Sequence, residues 1–396
     1  MKGKFVILTL LILSSIVTFG QNKYQKDFNE FWNDINENHA YLDQQQIDWK
    51  KVKEIYEPKT VQIKTDVEFI AFLETVLNEL YNGHCSLNTN LNSSNRLVPS
   101  GQDMYVEKVN NQFVITDLRK GFGAEKSGLK IGMQVVLFNG KAIEEQLNKF
   151  LPKFTQHHSA AMYQYALDML FAGTHDTKRE ITVLENGTQK KFSPDDFQSE
   201  KSNLLLESKV LNTTTAYIKI NNSLGDNQLI FDFDKTLDQF LNYKNVVIDL
   251  TETPSGGNTT VARAIMGRFI DKMLPYQIHE VDEKQFDTKR VWKELVVPRK
   301  SQFKGSLFVS VGHWTGSMGE GIAIGFDGMD RGKTIGTKMA GLIGAISNFG
   351  MTETKIGYQF PTERLYQTNG KPREDFLPKI LTKNTEETFQ KLSSIK

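Results

Sequence analysis

Apolar residues recur at three- and four-residue steps between positions 21 and 80. Phe28, Phe31, Trp32 and Ile35 share one helical face, and Phe69, Phe72, Leu73, Val76, Leu77 and Leu80 share another. The spacing predicts a small helical domain with these aromatics in its core. Gly83, within Asn82-Gly83-His84-Cys85, breaks the last helix ahead of a short strand, so His84 stands at a junction where side chains can face a cleft. From about 97 to 197 the rhythm shortens to strands. Positions 112–118 alternate, Gly121 and Gly123 mark a turn, and a small helix covers 124–129. A strand then runs into Asn139-Gly140, a strong tight-turn pair. Residues 179–184 with Asn186-Gly187 add another strand, and an insertion over 159–171 reads as helical. From about 204 onward strands and helices alternate: strand 215–220, amphipathic helix 229–241, buried strand 245–250, a turn with Gly256-Gly257, and helix 259–270. A β-branched run over 306–311 and a small apolar run over 321–326 read as a strand feeding a buried helix. Such alternation argues for an α/β layer of largely parallel strands, whose ligands gather at the strand C-terminal ends. The Gly256-Gly257 turn and the turn carrying Ser317 both fall at such ends.

The first twenty residues differ in kind. Lys2 and Lys4 precede an apolar run and then Thr18-Phe19-Gly20, the layout of a cleavable signal peptide. That run is roughly 13 residues, short of the ~20 a span needs, and Gln21 rather than Cys follows the cut, so no stable membrane anchor is expected after cleavage. The expected location is the periplasm or the cell exterior. With 396 residues there is room for two or three domains. Lys+Arg 48 against Asp+Glu 47 lacks the basic excess of a nucleic-acid binder. Cys85 is the single cysteine, so it cannot form an internal disulfide, and its expected role is a small apolar filler. No His/Asp/Glu spacing reads as a metal site, and no cofactor is expected.

The chemistry points to Gly312-His313-Trp314-Thr315-Gly316-Ser317-Met318-Gly319-Glu320. A serine at a strand-to-helix turn has its hydroxyl lifted clear of the sheet, and the helix N-terminus offers backbone N–H groups to an oxyanion. The plainer reading is a helix cap, with Ser317 and Glu320 forming a capping box.

These turns, in this order and after the short-strand block, resemble the S41 family of serine peptidases, the C-terminal processing proteases and the tricorn core protease. The similarity runs from about His84 to Ile380. The block around 124–140 resembles a PDZ domain, with Gln134 where an Asp is common and the glycine-rich loop reduced to Gly101, so a structural PDZ-like spacer is the second reading of it. The family's Asp-Leu-Arg strand end is Asp249-Leu250-Thr251 here, followed by Gly256-Gly257, and its Thr-x-Ser-x-x-Glu turn is Thr315 to Glu320. The resemblance implies Ser317 as nucleophile, with Gly256, Gly257 and Met318 around the oxyanion hole. In the branch with a lysine base, that lysine lies 25 residues on. That position is Leu342, which cannot take a proton. The tricorn-like branch uses an upstream His and a C-terminal Glu, matched by His84 and by Glu374 in Gly370-Lys371-Pro372-Arg373-Glu374. His313, Lys338, Glu353 and Asp375 remain as rivals for base or acid.

The resemblance implies an α/β protein with a crotonase/ClpP-like catalytic core over 201–396. Ahead of it come a helical domain over 21–96 and a PDZ-like β-rich domain over 97–200. It implies an exported serine-type peptidase acting on peptides or proteins, and is compatible with a homo-oligomer. The alternative is a non-catalytic peptide- or lipid-binding protein that keeps the fold.

Overall fold

The computed structural model describes residues 22–199 and 202–396, and the expected signal peptide lies outside them. The N-terminal helices Lys23–Asn38, Trp49–Tyr56 and Asp66–Leu77 begin at Asn22, Asp48 and Thr65, whose side chains each accept a first-turn N–H. Phe28, Phe31, Ile35, Phe69, Leu73 and Val76 are buried, as their spacing requires. These helices do not close their own core. It continues into Met351, Tyr358 and Phe360, and Phe349 stacks on the last two rings. Those residues belong to an antiparallel sheet of Ala345–Gly350, Gly357–Tyr366, Leu274–Glu283 and Thr288–Val296, to which the N-terminal part adds only Ser86–Leu87. The helices expected as a separate 21–96 domain are thus half of a unit whose other half lies beyond residue 270. Helical periodicity carries no sign of a partner so distant in sequence.

A second sheet, antiparallel, contains Met104–Val109, Gln112–Leu118, Gln134–Phe138, Ile181–Glu185 and Thr188–Phe192. Its two-residue turns Asn110-Asn111, Asn139-Gly140 and Asn186-Gly187 have all six residues at positive φ, the geometry that suits a twisted hairpin. The inserted helix is Ala160–Ala172, capped by Ser159. It lies along the terminal strand Met104–Val109, where Gln164 donates to the Val106 carbonyl at 3.1 Å. Its Asp168 accepts from Gln102 at 2.8 Å and from Gln164 at 3.0 Å.

The third sheet runs Ile380–Leu381, Gly332–Gly336, Ser306–Val311, Asn245–Asp249, Thr215–Ile220 and Leu206–Asn212. Every neighbouring pair is parallel except the last. The helices Gln228–Asp238, Thr259–Met266 and Met318–Gly328 share its core, which includes Ile218, Val246, Ile248, Val309, Ile322 and Phe326. The expected alternation is therefore present, with the 259–270 helix ending earlier, at Met266. Among the described residues no helix is long and apolar enough to cross a membrane.

Candidate active site

Ser317 follows the buried strand Ser306–Val311 and is the residue before the helix Met318–Gly328, with φ +50° and ψ −112°. A serine at positive φ costs about 1–3 kcal/mol and persists only where its surroundings impose it. Here they do. Its N–H donates to Glu320 at 2.8 Å, its carbonyl accepts from the buried Arg373 guanidinium, and Arg373 pairs with Glu320 at 3.3 Å. Burial pushes the Glu320 carboxyl up, and Arg373 opposes that shift. Thr315 locks the preceding turn by donating to the Leu250 carbonyl and accepting from Gly312 N–H, at 2.8 and 2.9 Å.

The Gly256-Gly257 turn packs on this elbow. Gly256 has φ +64°, and a Cβ on it would stand 2.4 Å from Ser317 Cβ, 2.8 Å from Met318 N and 2.9 Å from Ser317 Oγ. Only glycine fits there. Its N–H donates to the Thr253 carbonyl at 3.1 Å, which removes Gly256 from the expected oxyanion donors. Among the described residues the Gly257 and Met318 N–H groups have no partner; Met318 directly follows the serine, and Gly257 follows the glycine that packs on it, itself pressed against Leu224. Thr253 and Thr315 form a parallel bridge that stitches the two turns together.

His84 sits in a turn fixed by Asn82, whose side chain accepts the His84 N–H at 3.0 Å. Its Nδ1 lies 2.9 Å from the Ile343 carbonyl. A carbonyl can only accept, so Nδ1 carries the proton and Nε2 holds the lone pair. Nε2 is buried and finds no partner among the described residues. Burial lowers the ring to a pKa of about 4; the Ile343 bond opposes this, and the nearby Arg373 charge adds to it. The imidazole is thus neutral near pH 7, in the tautomer that a general base requires. No hydrogen bond joins it to Ser317. Leu342 packs between the two turns, its methyl carbons 2.8 Å from a Gly83 Cβ position and 3.1 Å from a Gly316 Cβ position.

Glu374 does not orient that ring, because Ile343 occupies Nδ1. Instead it accepts from Gln44 at 2.7 Å, and burial raises its carboxyl. Glu353 pairs with Lys26 at the surface, at 2.9 Å. His313 stacks on Tyr105 at 3.7 Å between centroids, and burial lowers it to about 3. Lys338 is exposed, Asp375 is exposed, and the buried Cys85 lies 3.9 Å from His39. Sequence reasoning missed Arg373 and the Ile343 carbonyl. Arg373 adjoins the residue chosen as the acid, whereas a backbone carbonyl leaves no trace in residue type.

Segments flanking the second sheet's first two strands reach the site. Trp314 Nε1 donates to the Gln102 carbonyl at 2.9 Å, and Arg119 pairs with Glu252 at 2.9 Å, just ahead of the glycine turn. A cleft of about 440 Å³ near Gly101 is lined by Arg96, Asp103, Arg179 and Asp195, which pair with one another, and does not include Ser317.

Residues 214–379 match Peptidase family S41, and residues 21–78 match the Tricorn protease C1 domain. In three dimensions the chain resembles mature CPAF (TM-score 0.67, 13% identity, 94% of this chain and 96% of that one). It also resembles the photosystem II D1 C-terminal processing protease (0.57, 14%, 94% and 98%). A putative peptidase from Parabacteroides merdae ATCC 43184 is similar as well (0.55, 13%, 94% and 93%). At these identities the likeness is one of fold. No curated protein matches in sequence.

Proposed function

From a chain whose residues 214–379 form a peptidase S41 domain, we propose a serine peptidase with Ser317 as nucleophile and His84 as base. Ser317 Oγ attacks the scissile carbonyl while His84 Nε2 takes its proton, then returns it to the leaving amine. The developing oxyanion is held by the Gly257 and Met318 N–H groups. Each such donor is worth about 10²–10³ in rate, and base catalysis about 10²–10⁴. The Ile343 carbonyl takes the orienting role that a carboxylate fills in many hydrolases. One observation carries the reading: a serine forced to φ +50° at a helix N-terminus, with a glycine turn pressed to within van der Waals range of its hydroxyl. The proposed core is crotonase/ClpP-like and the middle sheet PDZ-like. Because Gln164 ties the inserted helix to the terminal strand at the Val106 carbonyl and Asp168 ties it to Gln102 just ahead of that strand, the module is read as a spacer rather than a peptide clamp. The 1–20 segment supports export to the periplasm or beyond, and the substrate is a peptide or protein.

A fluorophosphonate probe tests this. Labelling at Ser317 is expected in the wild type, absent in Ser317→Ala, at least 10²-fold slower in His84→Ala, and within about tenfold of wild type in Glu374→Gln. The competing reading, a binding protein that keeps the fold, draws on Leu342 standing between the serine and histidine turns. It predicts no labelling of the folded wild type.

A further inference from the structure

A histidine–carboxylate pair lies behind the first turn of the Met318–Gly328 helix. His279 and Gln277 alternate onto one face of the strand Leu274–Glu283, and Glu363 sits on the neighbouring strand Gly357–Tyr366, diagonal to the His279–Leu365 pair. His279 Nδ1 is 2.6 Å from Glu363 Oε2, and His279 Nε2 is 2.6 Å from Gln277 Nε2. Trp292, directly across the strand pair, stacks on the imidazole at 4.8 Å. The polarity of this chain follows from its ends. A carboxylate accepts, so His279 donates from Nδ1 and receives the Gln277 amide proton at Nε2. Gln277 is thereby fixed with its carbonyl oxygen turned the other way. That Oε1 atom is buried and unpartnered among the described residues, in a side chain only 3% exposed.

Where it points is informative. A Cβ on Gly321 would stand 3.1 Å from Met318 Sδ and 3.6 Å from Gln277 Oε1, so thioether and carbonyl oxygen both border Gly321 in the first helical turn. Met318 is also a proposed oxyanion donor. The proposed substrate carbonyl rests on the Met318 N–H, which brings the acyl-side residue to the same helical turn. A buried acceptor without a donor keeps its full desolvation cost, which a donor on the substrate removes.

We propose that Gln277 is a specificity residue: its carbonyl oxygen, oriented by Glu363 through His279, accepts a hydrogen bond from an uncharged amide or hydroxyl side chain on the acyl-side residue of the substrate. This rests on the serine-peptidase reading of Ser317. An acidic side chain meets a lone pair there and is rejected, and an aliphatic one leaves the acceptor bare. His279 and Glu363 act as positioning residues.

The test uses diphenyl phosphonates bearing carboxamide, hydroxyl, aliphatic, amino or carboxylate side chains, with modification of Ser317 followed by intact mass. A small alkyl fluorophosphonate without such a side chain reports nucleophile reactivity alone. The carboxamide and hydroxyl probes are expected to react about tenfold faster than the aliphatic one, the size of one net hydrogen bond. In Gln277→Leu and Glu363→Gln that preference is expected to disappear while the fluorophosphonate rate stays put. Gln277→Glu, of the same shape, is expected to turn the preference toward the amino probe, which also covers the event that Gln277→Leu does not fold. An unchanged ranking in Gln277→Glu, or a wild-type preference for the aliphatic or carboxylate probe with normal fluorophosphonate labelling, overturns the inference alone. Absence of fluorophosphonate labelling overturns the reading beneath it, and the inference with it.

Discussion

Gly256 is the residue with least freedom in the site. A methyl group there would overlap Ser317 Cβ at 2.4 Å, and φ +64° is itself a strained conformation for alanine. Gly256→Ala is therefore expected to slow Ser317 labelling by about 10²-fold or more, by displacing the oxyanion turn. The fold should survive, as judged by an unchanged far-ultraviolet circular dichroism spectrum. The turn that carries Ser317 and the glycine turn packed on it were legible in the sequence, since each asks for a residue type whose chemistry or backbone freedom the turn demands; His84 was legible as a residue at an element junction. Glu374 was the misleading position. A carboxylate is the residue one looks for beside a catalytic imidazole, but the loop carrying Ile343 reaches the ring first.

The helix Ala160–Ala172 carries a different liability. Burial raises its Asp168 to a pKa of about 7, against which the Gln102 and Gln164 amides supply partial compensation. A raised carboxyl stabilises the fold fully below its unfolded value, near 4, and that contribution is lost as pH climbs through 7. Asp168→Asn keeps an oxygen for both amide donors without the charge. Its melting temperature is expected to exceed the wild type's at pH 8, with the gain shrinking to nothing by pH 4. An equal shift at both values would show that the carboxylate is not the source. The sequence announced this helix by its apolar content. It gave no sign that Gln102, tied to Asp168, also offers its carbonyl to Trp314 in the turn ahead of Ser317, because such a contact arises only when two separate segments dock.

Across the whole molecule, the N-terminal helices depend on strands more than 250 residues away. Their cluster includes Met351, Ile356, Tyr358 and Phe360, and Ala40 N–H donates to the Pro361 carbonyl at 3.0 Å. A 22–96 fragment is expected to show no cooperative thermal transition, whereas the full chain should. A sharp melt of the fragment would restore it as an independent domain. Alternating patterns revealed Thr215–Ile220, Asn245–Asp249 and Ser306–Val311 because those central strands are largely apolar and buried, whereas the polar Leu206–Asn212 and the short Gly332–Gly336 and Ile380–Leu381 left no such pattern. The long hairpin of Leu274–Glu283 and Thr288–Val296 is mixed and largely exposed along its second strand, so hydrophobic patterning did not reveal it. Three buried imidazoles act together on acid stability. Burial lowers His39 and His313 to about 3 and His84 to about 4. A depressed histidine contributes stability above its unfolded value near 6.5 and loses it as pH falls through the folded value. Of these rings, His84 is the one assigned to the chemistry, and its ionisation can be read from the nucleophile itself. The decisive measurement is the rate of Ser317 modification by a fluorophosphonate between pH 3.5 and 8, in the wild type and in His84→Ala. The wild-type rate should hold down to about pH 5 and fall with an apparent pKa near 4, and His84→Ala should be slower throughout without that acid limb. Equal rates and the same profile in both proteins would show that His84 is not the base.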